Sequence, residues 1–226
     1  MLSPNDWTKL PARRSFIYDP PPGLNLLYAD AHVLVIDKPA GLLSVPGREL
    51  PDSAETRLRA LHPETLLVHR LDMATSGVMI FARTKDAQRH LGLQFERRHT
   101  RKTYRADVAG DVHGESGHIN LPLIADWPNR PRQMVSFERG KASQTDWTVL
   151  GRHDGRTQLS LHPITGRSHQ LRVHCWAMGH PLLGDRIYAV DEVFDAAPRL
   201  FLHAETLEIH HPENGDRVSF HAPCPF

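Results

Sequence analysis

The chain has 226 residues, 40% hydrophobic and 23% charged, which is typical of a folded globular protein rather than a disordered one. A chain of this length can bury a sizeable core without disulfides or metal ions. Its longest hydrophobic runs, such as residues 78–82, are far shorter than the roughly 20 residues of a membrane-spanning helix, and residues 1–30 contain no hydrophobic signal segment. Cys175 and Cys224 match neither a disulfide framework nor a zinc motif, so we expect a cytoplasmic protein.

Charge is balanced overall but unevenly distributed along the chain. There are 27 Lys and Arg residues against 26 Asp and Glu residues, a net charge of +1. Residues 83–105, which include Arg98 and Lys102, contain eight basic residues and two acidic ones, whereas residues 160–184 contain no acidic residue. A neutral protein can therefore present a basic face to a polyanion such as RNA. A solvated helix surface would give the same pattern.

Hydrophobic periodicity and turn residues predict the elements of the first half of the chain. Residues 1–23, rich in proline and arginine, read as a flexible arm, followed by one domain over 24–226. Asp52 and Glu55 resemble a capping box that opens a helix. The other predicted elements are strands over 24–28, 33–36, 66–69 and 78–82 and a helix over 85–98.

The second half is predicted to be rich in strands. Ser168 is expected to cap a helix over 168–178, which Gly179 would end. Many antiparallel strands with a few helices between them predict an α+β fold built on one sheet. The predicted strands cover residues 103–109, 119–124, 145–150, 158–161, 200–209 and 218–221.

The sixteen histidines raise the question of a metal site, but their spacing does not support one. His169 and His174 are five residues apart and do not share one helix face, and the adjacent His210 and His211 would point to opposite sides of a strand. We therefore expect no metal site.

Two segments combine charged residues with the end of an element, where catalytic groups often lie. Residues 69–77 place Arg70 and Asp72 between a hydrophobic strand and a tight turn. Residues 163–172 bring Arg167 and Arg172 to the start of a helix, a geometry suited to an anion, either an RNA phosphate or a protein carboxylate. A structural ion pair in the first segment and an ordinary capped helix in the second remain equally open.

Two further segments place an aromatic residue among basic ones. In residues 102–106, Tyr104 lies between Lys102 and Arg105 on a predicted strand and could stack on a nucleobase or belong to the core. In residues 126–132, prolines stiffen a loop that contains Trp127 and Arg130. Such a loop is suited to RNA contact, although the tip of an ordinary surface hairpin would have the same residue pattern.

Together these segments resemble the RluA-type pseudouridine synthases. Residues 69–77, His-Arg-Leu-Asp-Met-Ala-Thr-Ser-Gly, resemble the family's first motif, residues 102–104 its Lys-x-Tyr motif and residues 166–172 its third motif. Residues 202–204, Leu-His-Ala, resemble the hydrophobic motif near the C-terminus. The motifs follow in order across most of the chain, which is far more specific than any one of them.

The resemblance implies a pseudouridine synthase fold, a mixed and mostly antiparallel sheet with a central cleft and flanking helices. It implies isomerisation of uridine to pseudouridine in RNA without cofactor or metal. Residues 41–48 and 126–131 resemble a member of the family that acts on both 23S rRNA and the tRNA anticodon stem-loop. About 25 residues before the first strand are too few for the S4 RNA-binding module of many relatives, and a monomer is expected.

The resemblance also assigns roles to residues of this chain. Asp72 is the catalytic carboxylate, Arg172 its ion-pair partner and Tyr104 a ring that stacks on the target base and takes part in proton removal. Arg70 would fill the space that a flipped uridine leaves, and Leu202 would form a hydrophobic wall of the pocket. The remaining expected RNA contacts are Arg98, Lys102, Arg130, Arg167 and His169.

Two other functions are compatible with parts of the sequence. A non-catalytic RNA-binding relative, such as an RNA chaperone, would retain the basic segments but would not need Asp72, Tyr104 and Arg172. A hydrolase that uses Asp72 as a nucleophile would want a second acid or base nearby, and no paired carboxylate is visible.

Overall fold

A computed structural model describes Pro11 and residues 14–226 of the chain, so the predicted arm over 1–23 lies largely outside the described residues. The α-helices are α1 (Ala54–Leu61), α2 (Lys85–Glu96), α3 (Gln170–Ala177) and α4 (Asp191–Asp195). The strands are β1 (Asn25–Ala29), β2 (Val33–Lys38), β3 (Leu66–Leu67), β4 (Ser76–Ala82), β5 (Arg101–Ala109), β6 (Ser116–Asn120), β7 (Leu123–Ala125), β8 (Gln133–Val135), β9 (Gln144–His153), β10 (Arg156–Pro163), β11 (Leu202–His210) and β12 (Arg217–His221).

The chain divides into two compact units. Residues 17–103 and 203–226 form one, called here the Asp72 unit. Residues 104–202, together with the described residues up to Phe16, form the other, called the Tyr104 unit. None of the described helices has the length and hydrophobicity needed to cross a bilayer.

The sheet of the Asp72 unit has the strand order β1-β2-β4-β11, with β3 on β4 and β12 on β11. These pairs are antiparallel except β4 with β11, which runs parallel and places His203 opposite Ser76 and Ala204 opposite Gly77. The end of the motif at residues 69–77 therefore lies beside residues 203–204 of the motif near the C-terminus. All seven residues of β4 are buried, because both faces of this strand are covered.

Helix α2 packs its hydrophobic face onto the sheet as its periodicity predicts. Ala87 and Leu91 are buried in a core that also contains Val35, Ile80 and Leu207, and Phe95 packs against its edge. Burial of a large aliphatic side chain contributes about 1.5–3 kcal/mol, so this face rather than helix propensity holds α2 in place.

The predicted capping box of α1 is wrong by one residue. Ser53 is the N-cap, because its hydroxyl accepts the N–H of Thr56 at 3.1 Å while Thr56 accepts the N–H of Ser53 at 2.8 Å. Asp52 instead forms a two-pronged ion pair with Arg57 at 2.7 and 2.6 Å. The Asp52 carboxylate therefore binds the Arg57 guanidinium instead of capping the helix.

The sheet of the Tyr104 unit is antiparallel and has the order β5-β10-β9-β6. The predicted strand over 119–124 is divided into β6 and β7, because Pro122 has no N–H for a ladder. The hairpin partner β8 and the short helix α4 were not predicted. Both units combine strands with few helices, which confirms the predicted α+β class.

Helix α3 begins two residues later than predicted, and Ser168 is not its cap. The residue before the helix is His169, which has a left-handed backbone with φ of 53° and no side-chain cap. The side chain of Gln170 holds the segment before the helix, since its Oε1 accepts the N–H of Arg167 at 3.0 Å. Gly179 ends the segment with φ of 85°, as predicted.

We predict that Gly77→Ala strongly destabilises the protein. A Cβ at this position would lie 2.2 Å from the carbonyl oxygen of Ala204, and φ is +112°. The clash and the backbone strain should lower the free energy of unfolding by about 3 kcal/mol or more, measured by urea denaturation. Gly92→Ala is the control, because nothing lies within 4 Å of its Cβ position in α2. It should raise stability by up to about 1 kcal/mol, and equal effects at both positions would contradict the analysis.

Candidate active site

Asp72 lies in the loop between β3 and β4 and is partly exposed. Its carbonyl accepts the N–H of Thr75 at 3.1 Å, which closes a turn over residues 72–75, whereas Ser76 and Gly77, where the turn was predicted, belong to β4. Next to it, Leu71 is clamped by the hydroxyl of Ser44, which accepts the Leu71 N–H at 3.0 Å and donates to the Leu71 carbonyl at 2.7 Å. The backbone on the N-terminal side of Asp72 is therefore fixed by a side chain from a distant part of the sequence.

The other side of the loop is held by Lys38, a fully buried residue at the end of β2. Its Nζ donates to the carbonyl oxygens of Pro39, Leu42 and Met73 at 2.9, 2.7 and 3.1 Å. The Met73 carbonyl also accepts the N–H of Gly41 at 2.9 Å. The sequence analysis missed Lys38, although a lysine that ends a hydrophobic strand before a Pro-x-Gly turn was a usable signal.

His69 anchors the start of the same segment as a neutral ring. Its Nε2 accepts the N–H of Ile80 at 3.1 Å, and the ring stacks on Phe95 with centroids 4.6 Å apart. Burial, and secondarily the charge of Lys102, lowers the pKa of His69 to about 3. The ring therefore carries its proton on Nδ1 at neutral pH and supports the loop without titrating.

Three predicted RNA contacts of the Asp72 unit are cations without carboxylate partners. Arg70 and Arg98 are exposed, and Arg98 follows α2 with a left-handed φ of 61°. Lys102 is partly exposed, and burial together with the charge of Arg98 lowers its pKa to about 8. Over Pro11 and residues 14–226, none of these three side chains makes an ion pair.

Other basic residues of the predicted basic segment are partly neutralised. The structure pairs Arg83 with Glu64 at 2.5 Å and Arg89 with Asp86 at 3.1 Å, and Arg101 lies 4.0 Å from Glu208. The excess charge is thereby concentrated at the end of α2 and the start of β5.

The three residues of the hydrophobic motif near the C-terminus, Leu202, His203 and Ala204, are all buried. Leu202 is 3% exposed. His203 lies at 2.8 Å from the Ser76 hydroxyl through Nδ1 and at 3.0 Å from the Ala222 carbonyl through Nε2. Since a carbonyl can only accept, Nε2 carries the proton and Ser76 donates to Nδ1.

Tyr104 is the first residue of the Tyr104 unit on β5 and lies opposite Leu161 of β10. It is partly exposed, which is compatible with either the stacking or the core interpretation. Alternation along β5 places Thr103 and Arg105 on the opposite face of the strand, as predicted.

Arg172 is 4% exposed on α3 and forms a buried two-pronged ion pair with Asp185. Nε and Nη2 donate to the two carboxylate oxygens at 2.8 and 2.7 Å. The N–H groups of Ile187 and Tyr188 also bind Asp185 at 2.9 and 3.1 Å. Burial alone would raise the pKa of Asp185, but the guanidinium and these N–H groups more than offset it, and the pKa lies below its ordinary value.

This pair changes the interpretation of residues 163–172. Arg172 does not form an exposed anion site with Arg167, which is exposed and donates from Nε to the Ala142 carbonyl at 3.4 Å. Asp185, which the sequence analysis missed, is the first acidic residue after the acid-free segment 160–184.

Tyr188 connects His169 with Arg172. Its hydroxyl accepts the N–H of Gln133 at 2.8 Å and lies 2.8 Å from Nδ1 of His169. Its ring lies 5.2 Å from the Cζ atom of Arg172 and is 1% exposed. The structure thus brings together two predicted site residues through a tyrosine that no motif had indicated.

Arg130 lies on the loop between β7 and β8. Its guanidinium stacks 3.8 Å above the ring of Trp127, which is 67% exposed. The predicted basic and aromatic loop is therefore accessible to a large ligand. In the part of the chain that the structure describes, no three His, Cys, Asp or Glu side chains are grouped as metal ligands would be.

We predict that Asp185→Asn lowers the free energy of unfolding by about 3–5 kcal/mol at pH 7, because it leaves the buried Arg172 guanidinium without a counter-charge. The low folded-state pKa of Asp185 stabilises the protein above the ordinary carboxyl pKa, and this contribution is lost as the pH falls through the folded-state pKa. Urea denaturation should therefore show the two proteins converging below about pH 4.

Asp86→Asn is the control, because it breaks an exposed pair with Arg89. It should change stability by less than about 1 kcal/mol. A similarly small effect of Asp185→Asn would show that the buried pair does not support α3.

Comparison with known proteins agrees with the motifs. The family model for RNA pseudouridylate synthase matches residues 32–177. The dual-specificity RNA pseudouridine synthase RluA of Escherichia coli strain K12 is 52% identical over 214 residues, which cover 92% of this chain and 98% of the relative. The protein of the same name from Yersinia pestis is 53% identical over 204 residues, which cover 89% and 99%.

Solved structures show the same fold. Human RNA Pseudouridylate Synthase Domain Containing 1 matches with a TM-score of 0.78 and 29% identity, over 90% of this chain and 84% of that one. Human RNA Pseudouridylate Synthase Domain Containing 4 matches with a TM-score of 0.72 and 24% identity, over 89% and 88%. From the family match, the coverage of the relatives and the order of the motifs, this chain belongs to the RNA pseudouridylate synthase family and is an RluA-type enzyme that forms pseudouridine in RNA.

Proposed function

We propose that this enzyme isomerises uridines in two RNAs, 23S rRNA and the tRNA anticodon stem-loop, with Asp72 as its catalytic carboxylate. The curated relatives of about this length are named dual-specificity enzymes, and residues 41–48 and 126–131 resemble such a member in sequence. The observation that carries the proposal is the loop around Asp72, which Ser44 and Lys38 fix on either side.

The reaction breaks the glycosidic bond, turns the base and forms a carbon–carbon bond. It needs no redox partner and no phosphate energy, so we propose that it uses no cofactor. A carboxylate can serve as nucleophile or base only in its ionised form. A partly exposed Asp72, on a loop whose backbone polar groups are satisfied, is suited to that function.

Arg172 and Tyr104 complete the proposed catalytic group. The resemblance pairs Arg172 with Asp72, and since Nε and Nη2 bind Asp185, that pairing requires Nη1. An arginine whose plane is already fixed by one carboxylate would present its remaining donors in a defined direction. Tyr104 would stack on the base and take part in proton removal.

The substrate uridine must leave its stack before Asp72 can reach it. Extrusion costs a few kcal/mol, which phosphate contacts and filling of the vacated space offset. Arg70 is proposed to fill that space, because it is exposed and two residues from Asp72. Arg98, Lys102, Arg130, Arg167 and His169 are the proposed contacts to the RNA, and Leu202 is proposed to form a wall for the base. We place the enzyme, as a monomer, in the cytoplasm.

We predict that Asp72→Asn abolishes pseudouridine formation and leaves RNA affinity within about threefold, because the change removes a charge but little volume. The assay is tritium release from RNA labelled at uridine C5, with an anticodon stem-loop and a 23S rRNA fragment offered in parallel. Asp86→Asn, the same chemical change on an exposed helix of the same unit, is expected to retain activity.

Release from both RNAs would support dual specificity, and release from one alone would limit the enzyme to that substrate. Wild-type activity in Asp72→Asn would refute the catalytic assignment. Tight binding without release from either RNA by the wild type would favour an RNA chaperone.

We predict that RNA affinity falls as the pH rises through about 8, because Lys102 loses its charge in that range. The loss of one phosphate contact between pH 7 and pH 9 should weaken binding by roughly threefold to tenfold, measured by fluorescence anisotropy. Lys102→Arg keeps its charge and should flatten this part of the profile. Lys85→Arg, an exposed lysine of the same segment, should not; equal profiles for both variants would exclude Lys102 as the titrating contact.

A further inference from the structure

A second basic site lies within the Tyr104 unit. A cavity of about 510 Å³ opens between the N-terminal segment around Phe16, the loop from β7 to β8 and the residues after Asp185. This volume is in the range of sites that hold a nucleotide-sized ligand. Four arginines and no acidic residue line it, namely Arg14, Arg130, Arg132 and Arg186.

Two of these arginines are fixed by the chain itself. Arg14 donates from Nη1 to the carbonyls of Arg186 and Ala189, both at 3.0 Å, and pairs with Asp191 at 2.5 Å. Arg186 donates in return to the Ser15 carbonyl at 3.2 Å, and its guanidinium covers the ring of Phe16 at 4.3 Å. These reciprocal contacts give the cavity a wall formed before any ligand binds.

The other two arginines carry charge that no acidic residue balances. Arg132 donates to the carbonyl of Pro11, and Arg130 stacks on the exposed ring of Trp127. Within Pro11 and residues 14–226, neither forms an ion pair. Guanidinium groups gathered in a concave site favour an anion that accepts paired hydrogen bonds, which a phosphate does.

We propose that this cavity binds a backbone phosphate of the substrate RNA, as a contact additional to the target uridine. The adjoining hydrophobic surface, which includes Phe16 at 43% exposure and Ile187, suits the sugar or base attached to that phosphate. The proposal rests on the proposed function, since RNA is the polyanion that the enzyme binds.

The cavity is connected through the chain and one hydrogen bond to the buried residues around Arg172. Arg132 and Ile187 line the cavity, and the next residues in the chain are Gln133 and Tyr188. The Gln133 N–H donates to the Tyr188 hydroxyl at 2.8 Å, and Tyr188 lies against Arg172. A phosphate in the cavity is therefore held at a fixed distance from Arg172, so that the contact positions the RNA rather than merely attracting it.

The test compares two double variants of the full chain that each remove two positive charges from the same hairpin region. Arg130→Gln with Arg132→Gln empties the cavity of its unbalanced charge. Arg139→Gln with Lys141→Gln is the matched control, because both residues are exposed and do not line the cavity. Affinity for an anticodon stem-loop and for a 23S rRNA fragment is measured by fluorescence anisotropy over a range of salt concentrations.

The cavity variant is expected to bind RNA about tenfold more weakly and to reduce the salt slope by about one, whereas the control loses less than about threefold. Arg130→Gln alone, which replaces an exposed side chain that stacks on Trp127, should weaken binding in the same direction without affecting folding. Equal losses in the two double variants would mean diffuse attraction and would overturn the proposal, as would no loss in either.

Free phosphate is the competing occupant, and inorganic phosphate is its probe. If phosphate raises the melting temperature of the wild type but not of the cavity variant, while RNA affinity is equal in both, the cavity binds a free anion and the RNA assignment is overturned. Pseudouridine formation is measured on the same RNAs. Activity without a cavity effect refutes this inference alone, and a cavity effect without activity in the wild type refutes the proposed function.

Discussion

The buried ammonium of Lys38 is the interaction on which the proposed active site depends. Removing a charge from water costs several kcal/mol, so Lys38 is tolerated only because three carbonyl oxygens surround it. One of them belongs to Met73, the residue after Asp72. If the loop moved, that buried ammonium would lose one of its partners. The cost of leaving a buried charge unsatisfied thus becomes a restraint on the loop around Asp72, with Ser44 acting on the other side.

The Tyr104 unit also contains buried charges whose partners restrain their orientation, here an arginine and an aspartate. Arg172 and Asp185 are both buried, and each is satisfied by the other and by neighbouring N–H groups or the Tyr188 ring. Such a pair adds little net stability compared with hydrophobic residues of the same size, but breaking it is costly. The pair instead fixes the orientation of Arg172, because a guanidinium held in one plane by a carboxylate has few orientations left for its other donors.

The sequence predicted what depends on local pattern and missed what depends on distant partners. The hydrophobic face of α2 follows from periodicity and is confirmed. The turn predicted at residues 75–77 lies earlier, at residues 72–75, because Ser76 and Gly77 pair with β11 as part of β4. The start of α3 was misplaced because His169, with a left-handed backbone and no side-chain cap, takes the position before the helix that Ser168 was expected to fill. Asp185 could not be assigned to Arg172, since the contact joins two segments whose approach no spacing rule describes.

Charged residues in this enzyme therefore fall into two groups with opposite requirements. Lys38, Arg172 and Asp185 are buried and bound to polar groups of the chain, and they fix backbone and side-chain directions. Arg70, Arg98 and Arg130 are exposed and without carboxylate partners among the described residues, which leaves their donors to a ligand. An RNA enzyme needs both, because phosphate contacts supply affinity without specifying an atom, while a reaction at one base requires that base to meet groups held in fixed positions. The overall charge of +1 conceals this arrangement, which only the distribution of charge in the fold reveals.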